Sequence, residues 1–238
     1  MSTVNFFWKS DNFDLIHRIS VLSYLLYDFE VVVWLSGKKP NSKYWIDDYK
    51  QVKIKNADTI IDVDDFISDG GNVKTASSLW RFTFLYRYGG LYCDTDMIAL
   101  DNFPKSDWII SSCELPEKEL ASTGIIKVPP KQKFLLDCIK NMKKEWGNVK
   151  VFSEMYKKHF GPKMKYTHDN RKFYPFQWNE RSVLFKNLPI PDAYSVHICH
   201  TFFDRKNIYI DWNYIYENKN TMLYNIVVDI NTKLTKIK

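Results

Sequence analysis

The first hundred residues alternate between short apolar runs and a stretch of helical periodicity. Val4 to Trp8 and Phe29 to Leu35 are apolar or β-branched runs of the kind typical of buried strands. Between them, apolar residues from about Asn12 to Tyr27 recur at helical spacing. This alternation predicts an α/β fold with a mostly parallel central sheet flanked by helices. Ligands of such a fold bind at the carboxyl ends of the strands.

Three further segments continue this pattern. Lys53 to Ile61 predicts a short strand, and Thr75 to Tyr88 predicts an amphipathic helix rich in aromatic residues. That helix stops at Gly89-Gly90, and Leu91 to Cys93 follows as a predicted strand. Because a glycine pair permits a tight turn from helix to strand, the residues after Cys93 are expected at the carboxyl edge of the sheet.

The second half of the chain has less regular patterns. Strands are predicted at Trp108 to Cys113, Gly124 to Val128, Tyr194 to Cys199 and Leu223 to Ile230, and helices at Lys131 to Trp146 and Ser153 to His159. Tyr166 to Asn179 is polar and aromatic, which favours a loop. A chain of 238 residues is long enough for one full α/β domain, so we expect a single domain over residues 1–238.

Composition limits the setting more than the function. The formal charge of +6 suits a phosphate-bearing ligand, an anionic membrane surface or nucleic acid, but the basic residues are spread along the chain. The cysteines form no CxxC pair, which favours a reduced, cytoplasmic setting; they are Cys93, Cys113, Cys138 and Cys199. Neither a signal peptide nor a membrane-spanning segment is evident, so we expect a soluble protein, with peripheral membrane contact as the alternative.

Asp94 and Asp96 are the residues that indicate chemistry. Two carboxylates at alternate positions turn toward one cleft only if the backbone bends, and their repulsion requires a cation or an arginine nearby. Oxygen ligands suit Mg²⁺ or Mn²⁺, and such an ion can bridge the phosphates of a nucleoside diphosphate and stabilise its charge as it leaves. Arg81 and Tyr92 precede the pair closely. Another acidic run, Asp62 to Asp65, is interpreted as surface or loop.

The segment from Ala76 to Phe103 resembles the DXD-containing sugar transferases of glycosyltransferase family 32. These are relatives of capsular-polysaccharide transferases, yeast initiating mannosyltransferases and glucosylating clostridial toxins. Their pattern is Ser-Asp-x-x-Arg-Tyr on a helix, followed by Tyr-x-x-Gly-Gly-x-Tyr-x-Asp-x-Asp. The chain supplies these residues in register: Arg81, Phe82, Tyr86, Gly89, Gly90, Tyr92, Asp94 and Asp96. The resemblance implies a GT-A fold with a nucleotide-binding half to about residue 100 and an acceptor-side half over about 101–238.

The resemblance also implies roles for the residues of the motif. Arg81, Asp94 and Asp96 would form the catalytic set. Asp96 would bind the metal together with Asp94, Asp94 would also contact the ribose or the sugar, and Arg81 would hold the sugar or its phosphate. Tyr92 and Thr95 would complete the donor site.

One departure from the family pattern affects the donor sugar. The family's sugar-binding aspartate is replaced by Ser78. Ser78 would still belong to the donor site, but glucose does not follow as the donor sugar.

Two resemblances lie outside the motif. Relatives have a Trp-x-Gly loop near the nucleotide after their first strand, so Trp8 is a candidate for stacking on the base, with a core position as the equal alternative. Tyr194 to His200 occupies the place of a segment that reaches the metal or the pyrophosphate. His197 is the candidate metal ligand and His200 the reserve, the alternative being a histidine hydrogen-bonded within a strand.

Three weaker candidates concern the acceptor side. Ala121 to Gly124 occupies the place of polar groups beside the transferred sugar in relatives. Phe173 to Trp178 resembles their aromatic acceptor loop. His168 and Asp169 are expected at the acceptor entrance of the site, and the alternative is that they form a solvated pair in a loop.

The resemblance implies a metal-dependent, retaining transfer of a hexosyl group. The donor would be a nucleoside diphosphate sugar, UDP-linked by preference and GDP-linked as the other choice, and the acceptor a hydroxyl of a glycan or glycoprotein. A nucleotide-sugar hydrolase and a carbohydrate-binding module are the alternatives. Nucleic acid is not expected as a partner, because the acidic pair repels phosphate unless a metal is bound. Relatives occur in bacteria and in large DNA viruses, so the location expected is the cytoplasm or a host cytoplasm.

Overall fold

The computed structural model describes residues 2–112, 120–142, 148–162 and 170–238. The strands within these ranges are β1 (Ser2–Trp8), β2 (Phe29–Leu35), β3 (Val52–Asn56), β4 (Gly90–Cys93), β5 (Met97–Ala99), β6 (Ile109–Ser112), β7 (Ala121–Val128) and β8 (Ser195–His197). The helices are α1 (Leu15–Ser23), α2 (Val63–Ser68), α3 (Val73–Tyr88), α4 (Lys133–Lys140), α5 (Asn148–Phe160), α6 (Asn170–Phe173), α7 (His200–Asp204), α8 (Trp212–Glu217) and α9 (Met222–Leu234). Short 3₁₀ helices lie at Tyr24–Tyr27, Ala57–Thr59 and Trp178–Phe185.

The central sheet has the strand order β3-β2-β1-β4-β7-β6. The strands β3, β2, β1 and β4 are parallel, whereas β7 is antiparallel to both of its neighbours. β5 and β8 form a separate antiparallel pair. The mostly parallel α/β sheet expected from the sequence is therefore confirmed. Because β1 and β4 are parallel neighbours, Trp8 and Cys93 end at the same edge of the sheet.

The sheet has a hydrophobic cluster on each face. Neighbouring residues of one strand point to opposite sides, so Phe6 and Leu91 enter one cluster while Phe7 and Tyr92 enter the other. The first cluster includes the buried faces of α1 and α9, and the second those of α3, α4 and α5. No helix in the described ranges has both the length and the apolarity to cross a bilayer.

The turn from α3 to β4 depends on its two glycines. Gly89 and Gly90 have φ values of 65° and 90°, a region that side chains with a Cβ rarely adopt. A Cβ at Gly89 would also lie 2.5 Å from the backbone nitrogen of Pro130. At the other end of α3, the side chain of Asn72 accepts a hydrogen bond from the backbone of Thr75. These ends fix α3 beside β4.

One predicted element is wrong. Leu223 to Ile230 was expected as a strand because of its β-branched residues, but it lies in α9. The physical reason is visible in the spacing, since Met222, Ile226, Ile230 and Leu234 recur every four residues and are all buried. The side chain of Thr221 caps the helix by accepting a hydrogen bond from the backbone of Tyr224.

Several boundaries differ from the sequence expectations. The predicted strand Lys53 to Ile61 ends at Asn56 and passes into a 3₁₀ helix. The acids of Asp62 to Asp65 are exposed, as the surface interpretation expected, and Asp62 is the N-cap of α2 because its carboxylate accepts a hydrogen bond from the backbone of Asp65. The predicted helix Lys131 to Trp146 is observed as α4, and its residues 143–147 lie outside the described ranges. Cys113 and residues 166–169 also lie outside these ranges, and the rest of the expected loop contains α6 and a 3₁₀ helix.

Candidate active site

A cleft of about 520 Å³ opens at the carboxyl edge of β1 and β4. The residues singled out from the sequence that line it are Trp8, Arg81, Tyr92, Asp94, Thr95 and Asp96, together with His197 and His200. They come from β1, α3, β4 with the segment after it, and the segment around the end of β8. Parallel strands that end at one edge bring these distant segments together, as the fold class predicts.

Asp94 is held by two hydrogen-bond donors. Its Oδ1 accepts hydrogen bonds from Arg81 Nη2 at 2.6 Å and from the Tyr92 hydroxyl at 2.8 Å. Its backbone N–H donates to the carbonyl oxygen of Gly124 at 2.7 Å. Burial raises the pKa of Asp94 although Arg81 acts in the opposite direction. The carboxylate therefore depends on Arg81 for its charge compensation.

Arg81 is buried on α3, with 5% of its surface exposed. Its Nη1 donates to the carbonyl oxygen of Thr123, and its Nη2 donates to the Tyr92 hydroxyl at 3.2 Å as well as to Asp94. The guanidinium carbon also lies 4.4 Å from the centre of the Tyr92 ring. Burial acts to lower the pKa of Arg81, but Asp94 outweighs it and raises that pKa. Arg81 is a fixed, permanent positive charge at the cleft.

Asp96 is oriented by the last residue of β8 and by the segment that follows β8. Its Oδ1 lies 3.2 Å from His197 Nε2, and its Oδ2 accepts a hydrogen bond from the backbone of His200 at 3.0 Å. Burial acts to raise the pKa of Asp96, but His197 and this backbone N–H outweigh it and hold the pKa well below its usual range. Burial acts to lower the pKa of His197, and Asp96 raises it overall. Asp96 is thus an ionised carboxylate beside an imidazole.

These contacts separate the two acids of the motif. The Asp94 atom Oδ1 is engaged by Arg81 and Tyr92, whereas Asp96 faces His197. A carboxylate next to an imidazole is a donor set that accepts a divalent ion such as Mn²⁺. The structure brings together Asp96 and His197 as the pair that fits a metal, and it directs Asp94 toward the guanidinium.

Ser78 does not line the cleft, and Ser77 does. Ser78 Oγ donates along the helix to the Lys74 carbonyl oxygen at 3.2 Å. Ser77 lies four residues before Arg81 and so on the same face of α3, and its side chain hydrogen-bonds with Tyr92. Ser77 and Ser78 precede Arg81 by four and three residues, and both spacings place a residue on its face of the helix, so the sequence alone did not separate them.

Trp8 has both of the features that the sequence left open. It lines the cleft, and it also packs against neighbouring rings. Its ring centroid lies 5.0 Å from that of Phe13 and 4.5 Å from that of His17. Its Nε1 donates to the Ser10 carbonyl oxygen at 2.8 Å. The ring is therefore fixed in place with one side against core residues.

Sequence reasoning missed Asp14 and His17. Asp14 is 1% exposed and caps α1, accepting a hydrogen bond from the backbone of His17 at 3.1 Å. Its Oδ1 also lies 2.8 Å from His17 Nδ1, and its Oδ2 contacts His200 Nε2. The reserve candidate His200 therefore contacts Asp14 with its side chain and Asp96 with its backbone. An Asp-x-x-His pair at a helix start was the available signal.

The acceptor-side candidates lie partly at the site. Ala121 to Gly124 belongs to β7, which begins three residues earlier than predicted. Ser122 Oγ donates to the Tyr174 hydroxyl, and the Tyr174 ring lies edge-on to His197 at 5.8 Å. His168 and Asp169 lie outside the described residues. Tyr174 does not itself line the cleft, but its ring contacts His197, which does.

Comparisons with known proteins point to glycosyltransferases. Residues 14–115 match a family described as a glycosyltransferase sugar-binding region containing a DXD motif. A human alpha-1,4-N-acetylglucosaminyltransferase is 28% identical over 78 residues, which are 31% of this chain, and the chain spans 22% of the length of that relative.

A solved structure described as the PaToxG glycosyltransferase has a TM-score of 0.51 to this chain and 16% identity, over 67% of this chain and 69% of its own. That likeness concerns the fold alone, and it is consistent with the GT-A fold that the resemblance implied. The chain therefore shares its α/β fold with that solved structure, and its residues 14–115 match the DXD-containing sugar-binding region of glycosyltransferases.

Proposed function

We propose that the protein is a glycosyltransferase that moves a hexosyl group from a nucleoside diphosphate sugar to an acceptor hydroxyl. UDP is the nucleotide we favour and GDP the second choice, with a glycan or glycoprotein as acceptor. The observation that carries this proposal is the meeting of Arg81–Asp94 and Asp96–His197 in one cleft. A fixed guanidinium and a metal-type donor pair together suit a diphosphate leaving group.

The donor sugar or its ribose is assigned to Asp94, and the diphosphate to Arg81. Arg81 keeps its positive charge at any working pH and is held by Thr123, Tyr92 and Asp94, so it needs no rearrangement as negative charge develops. Lys74 lines the same cleft and adds positive charge. Thr95 and the Trp8 ring complete the donor side, and Ser77 takes the place that the sequence had assigned to Ser78.

The metal we propose is Mn²⁺ or Mg²⁺, held by Asp96 and His197. When bound, such an ion neutralises charge on the departing diphosphate. The low pKa of Asp96 keeps the carboxylate ionised and ready for a cation. Asp94 contributes to the ion less directly, because its Oδ1 is already engaged by Arg81 and Tyr92.

We propose that transfer retains the configuration at the anomeric carbon. Among the described residues that line the cleft, the carboxylates are Asp94 and Asp96, and both are engaged by a neighbouring cation or imidazole. Retention is what the resemblance of the motif implies. Because neither carboxylate is free to act as a nucleophile, a retaining transfer would have the acceptor attack on the face that the diphosphate leaves. Proton NMR of the freshly formed product tests this, and an inverted anomer would rule it out.

The test of the proposed function is a transfer assay with UDP- and GDP-linked hexoses, Mn²⁺ and a panel of glycan acceptors. Wild-type protein should form an acceptor-linked product, and Asp96→Ala should lose it. Asp101→Ala changes an exposed carboxylate five residues further along and should behave as wild type. Free sugar released equally with and without acceptor would instead indicate a hydrolase, and binding of glycan without turnover would indicate a carbohydrate-binding module.

Three finer proposals concern the setting. We infer one domain over residues 1–238, because both hydrophobic clusters share the central sheet. We propose that the protein is a member of glycosyltransferase family 32, on the basis of the motif from Arg81 to Asp96. Members of this family from large DNA viruses are included in that proposal. The location we propose is the cytoplasm of the producing cell or of a host cell, supported by the buried thiols of Cys93, Cys138 and Cys199.

A further inference from the structure

A carboxylate and two imidazoles converge on the wall of the cleft beside the acidic motif. Asp14 Oδ1 lies 2.8 Å from His17 Nδ1, and Asp14 Oδ2 contacts His200 Nε2. One ligand atom from each of the three residues lies within 4.8 Å of the others. None of the three belongs to the Asp94, Asp96 and His197 set described above, and two of them, His17 and His200, line the cleft.

The spacing of these atoms resembles that of ligands around a small divalent ion. With metal–ligand bonds of about 2.1 Å, neighbouring ligand atoms lie roughly 3.0–3.4 Å apart in octahedral or tetrahedral geometry. The 2.8 Å between Asp14 and His17 is within a few tenths of an ångström of that separation. The ring centroids of His17 and His200 lie 4.6 Å apart with a tilt of 32°, so the two imidazoles that contact Asp14 are also in contact with each other.

Three contacts already hold these ligands in place. The backbone N–H of His17 donates to Asp14 Oδ1, the ring of Trp8 packs on His17 at 4.5 Å, and the backbone N–H of His200 donates to Asp96. Fixed second contacts of this kind are what orient metal ligands in proteins. The segment that carries His200 is also constrained, because Cys199 has a φ of 58°.

We propose that Asp14, His17 and His200 bind a divalent transition-metal ion of the Zn²⁺ type, at a second metal site distinct from Asp96 and His197. Two imidazoles and one carboxylate suit Zn²⁺ and Co²⁺, whereas Mg²⁺ prefers oxygen ligands alone. The ion would link the start of α1 to the segment after β8, and so would fix the backbone N–H that orients Asp96. The proposal goes beyond the proposed function and is tested without any activity.

The probe is Co²⁺ added to metal-free protein, followed by its visible d–d absorption and by equilibrium dialysis. Wild-type protein should bind Co²⁺, and Zn²⁺ should displace it. His17→Gln and His200→Gln should each weaken Co²⁺ binding at least tenfold. His159→Gln is the matched control, because it removes a histidine that pairs at 2.9 Å with Asp137 on the surface, and it should bind as wild type. Because Asp96 and His197 can also hold Co²⁺, the two histidine variants are compared in the Asp96→Asn background, which should itself retain the Co²⁺ spectrum of the Asp14, His17 and His200 site.

A measurement on wild-type protein covers the case in which a histidine variant fails to fold. X-ray absorption of the Zn²⁺ complex should show two imidazole ligands, whereas the Asp96–His197 pair supplies one. The proposal is overturned if wild type binds no Co²⁺, if the Co²⁺ spectrum of Asp96→Asn protein survives the addition of His17→Gln, or if Asp96→Asn alone abolishes the spectrum. None of these outcomes contradicts the proposed function, because the donor site is tested separately by nucleotide binding and by the transfer assay.

Discussion

Arg81 on α3 donates a hydrogen bond of 2.6 Å to Asp94, the residue that directly follows β4. The two residues are thirteen positions apart, and the turn at Gly89-Gly90 brings them together. Arg81 is buried and Asp94 partly buried, so the pair sits where electrostatic interactions are strong and an unpaired charge is costly. The relationship makes the helix, the turn and the acidic motif one structural unit.

Arg81→Lys tests whether the shape of the guanidinium matters as well as its charge. Lysine keeps the positive charge but cannot donate to Thr123, Tyr92 and Asp94 at the same time. We expect kcat/KM for transfer to fall by roughly 10²-fold or more in protein that remains folded. Arg87→Lys is the control, because Arg87 lies on the same helix and donates to the Ile60 carbonyl oxygen away from the cleft. Equal activity of the two variants would contradict the role given to Arg81.

Gly124→Ala tests the close packing around Asp94. A Cβ at position 124 would lie 2.8 Å from the Tyr174 hydroxyl and 3.2 Å from Asp94 Oδ2. Tyr174 is a buried ring with little freedom to move, so the carboxylate or the ring must shift. We expect the variant to lose most transfer activity, with thermal unfolding showing that it still folds cooperatively. Unchanged kcat/KM would mean that the position of Asp94 is not critical.

Asp48→Asn tests an ion pair outside the cleft. Partial burial acts to raise the pKa of Asp48, but hydrogen bonds from Arg18 and Lys238 lower it from 3.8 to about 2. Because the pKa of the Asp48 carboxyl is lower in the folded state than in the unfolded state, its ionisation contributes to the free energy of unfolding above about pH 4. This contribution is lost as the pH falls through about 2.

Wild type should therefore exceed Asp48→Asn in free energy of unfolding at pH 7 by less than about 1 kcal/mol, since the pair is near the surface. Urea titrations at pH 7, 4 and 2 should show the difference narrowing with acid. The difference should also shrink at high salt, because the charges are screened. A difference that grew as the pH fell would contradict the assignment.

Ile226→Ala tests the helical assignment of α9. Ile226 is fully buried in the same hydrophobic cluster as the buried residues of α1, so its truncation should lower the free energy of unfolding by roughly 2–5 kcal/mol. Thr232→Ala changes an exposed position of the same helix and should alter stability by less than about 0.5 kcal/mol. Chemical denaturation of both variants checks this. If the segment were a strand, residues 226 and 232 would lie on one face.

The fold was predictable where the pattern was regular. Val4 to Trp8 and Phe29 to Leu35 are mostly apolar because parallel central strands are buried on both faces, and both runs lie in strands. The helix before Gly89 was clear from its periodicity and its glycine stop. The strand prediction for Leu223 to Ile230 was wrong. β-branched residues favour strands locally, whereas packing against the core selected a helix that buries its apolar residues on one face.

The site was predictable only as far as its motif extends. Arg81, Asp94 and Asp96 lie together because a helix, a turn and a strand are consecutive in the chain. Asp14 and His200 are 186 residues apart, and only the tertiary fold shows that they touch. The choice between Ser77 and Ser78 depended on the rotation of α3 about its axis, which the family pattern alone did not supply.

Calorimetric titration of UDP and GDP in the presence of Mn²⁺ tests the central claim most directly. We predict that wild-type protein binds one of these nucleotides only when the metal is present, and that Asp96→Ala loses this binding while Asp101→Ala keeps it. Binding of neither nucleotide, or binding that is the same without Mn²⁺ and in Asp96→Ala, would contradict the assignment of this cleft as a nucleotide-sugar donor site.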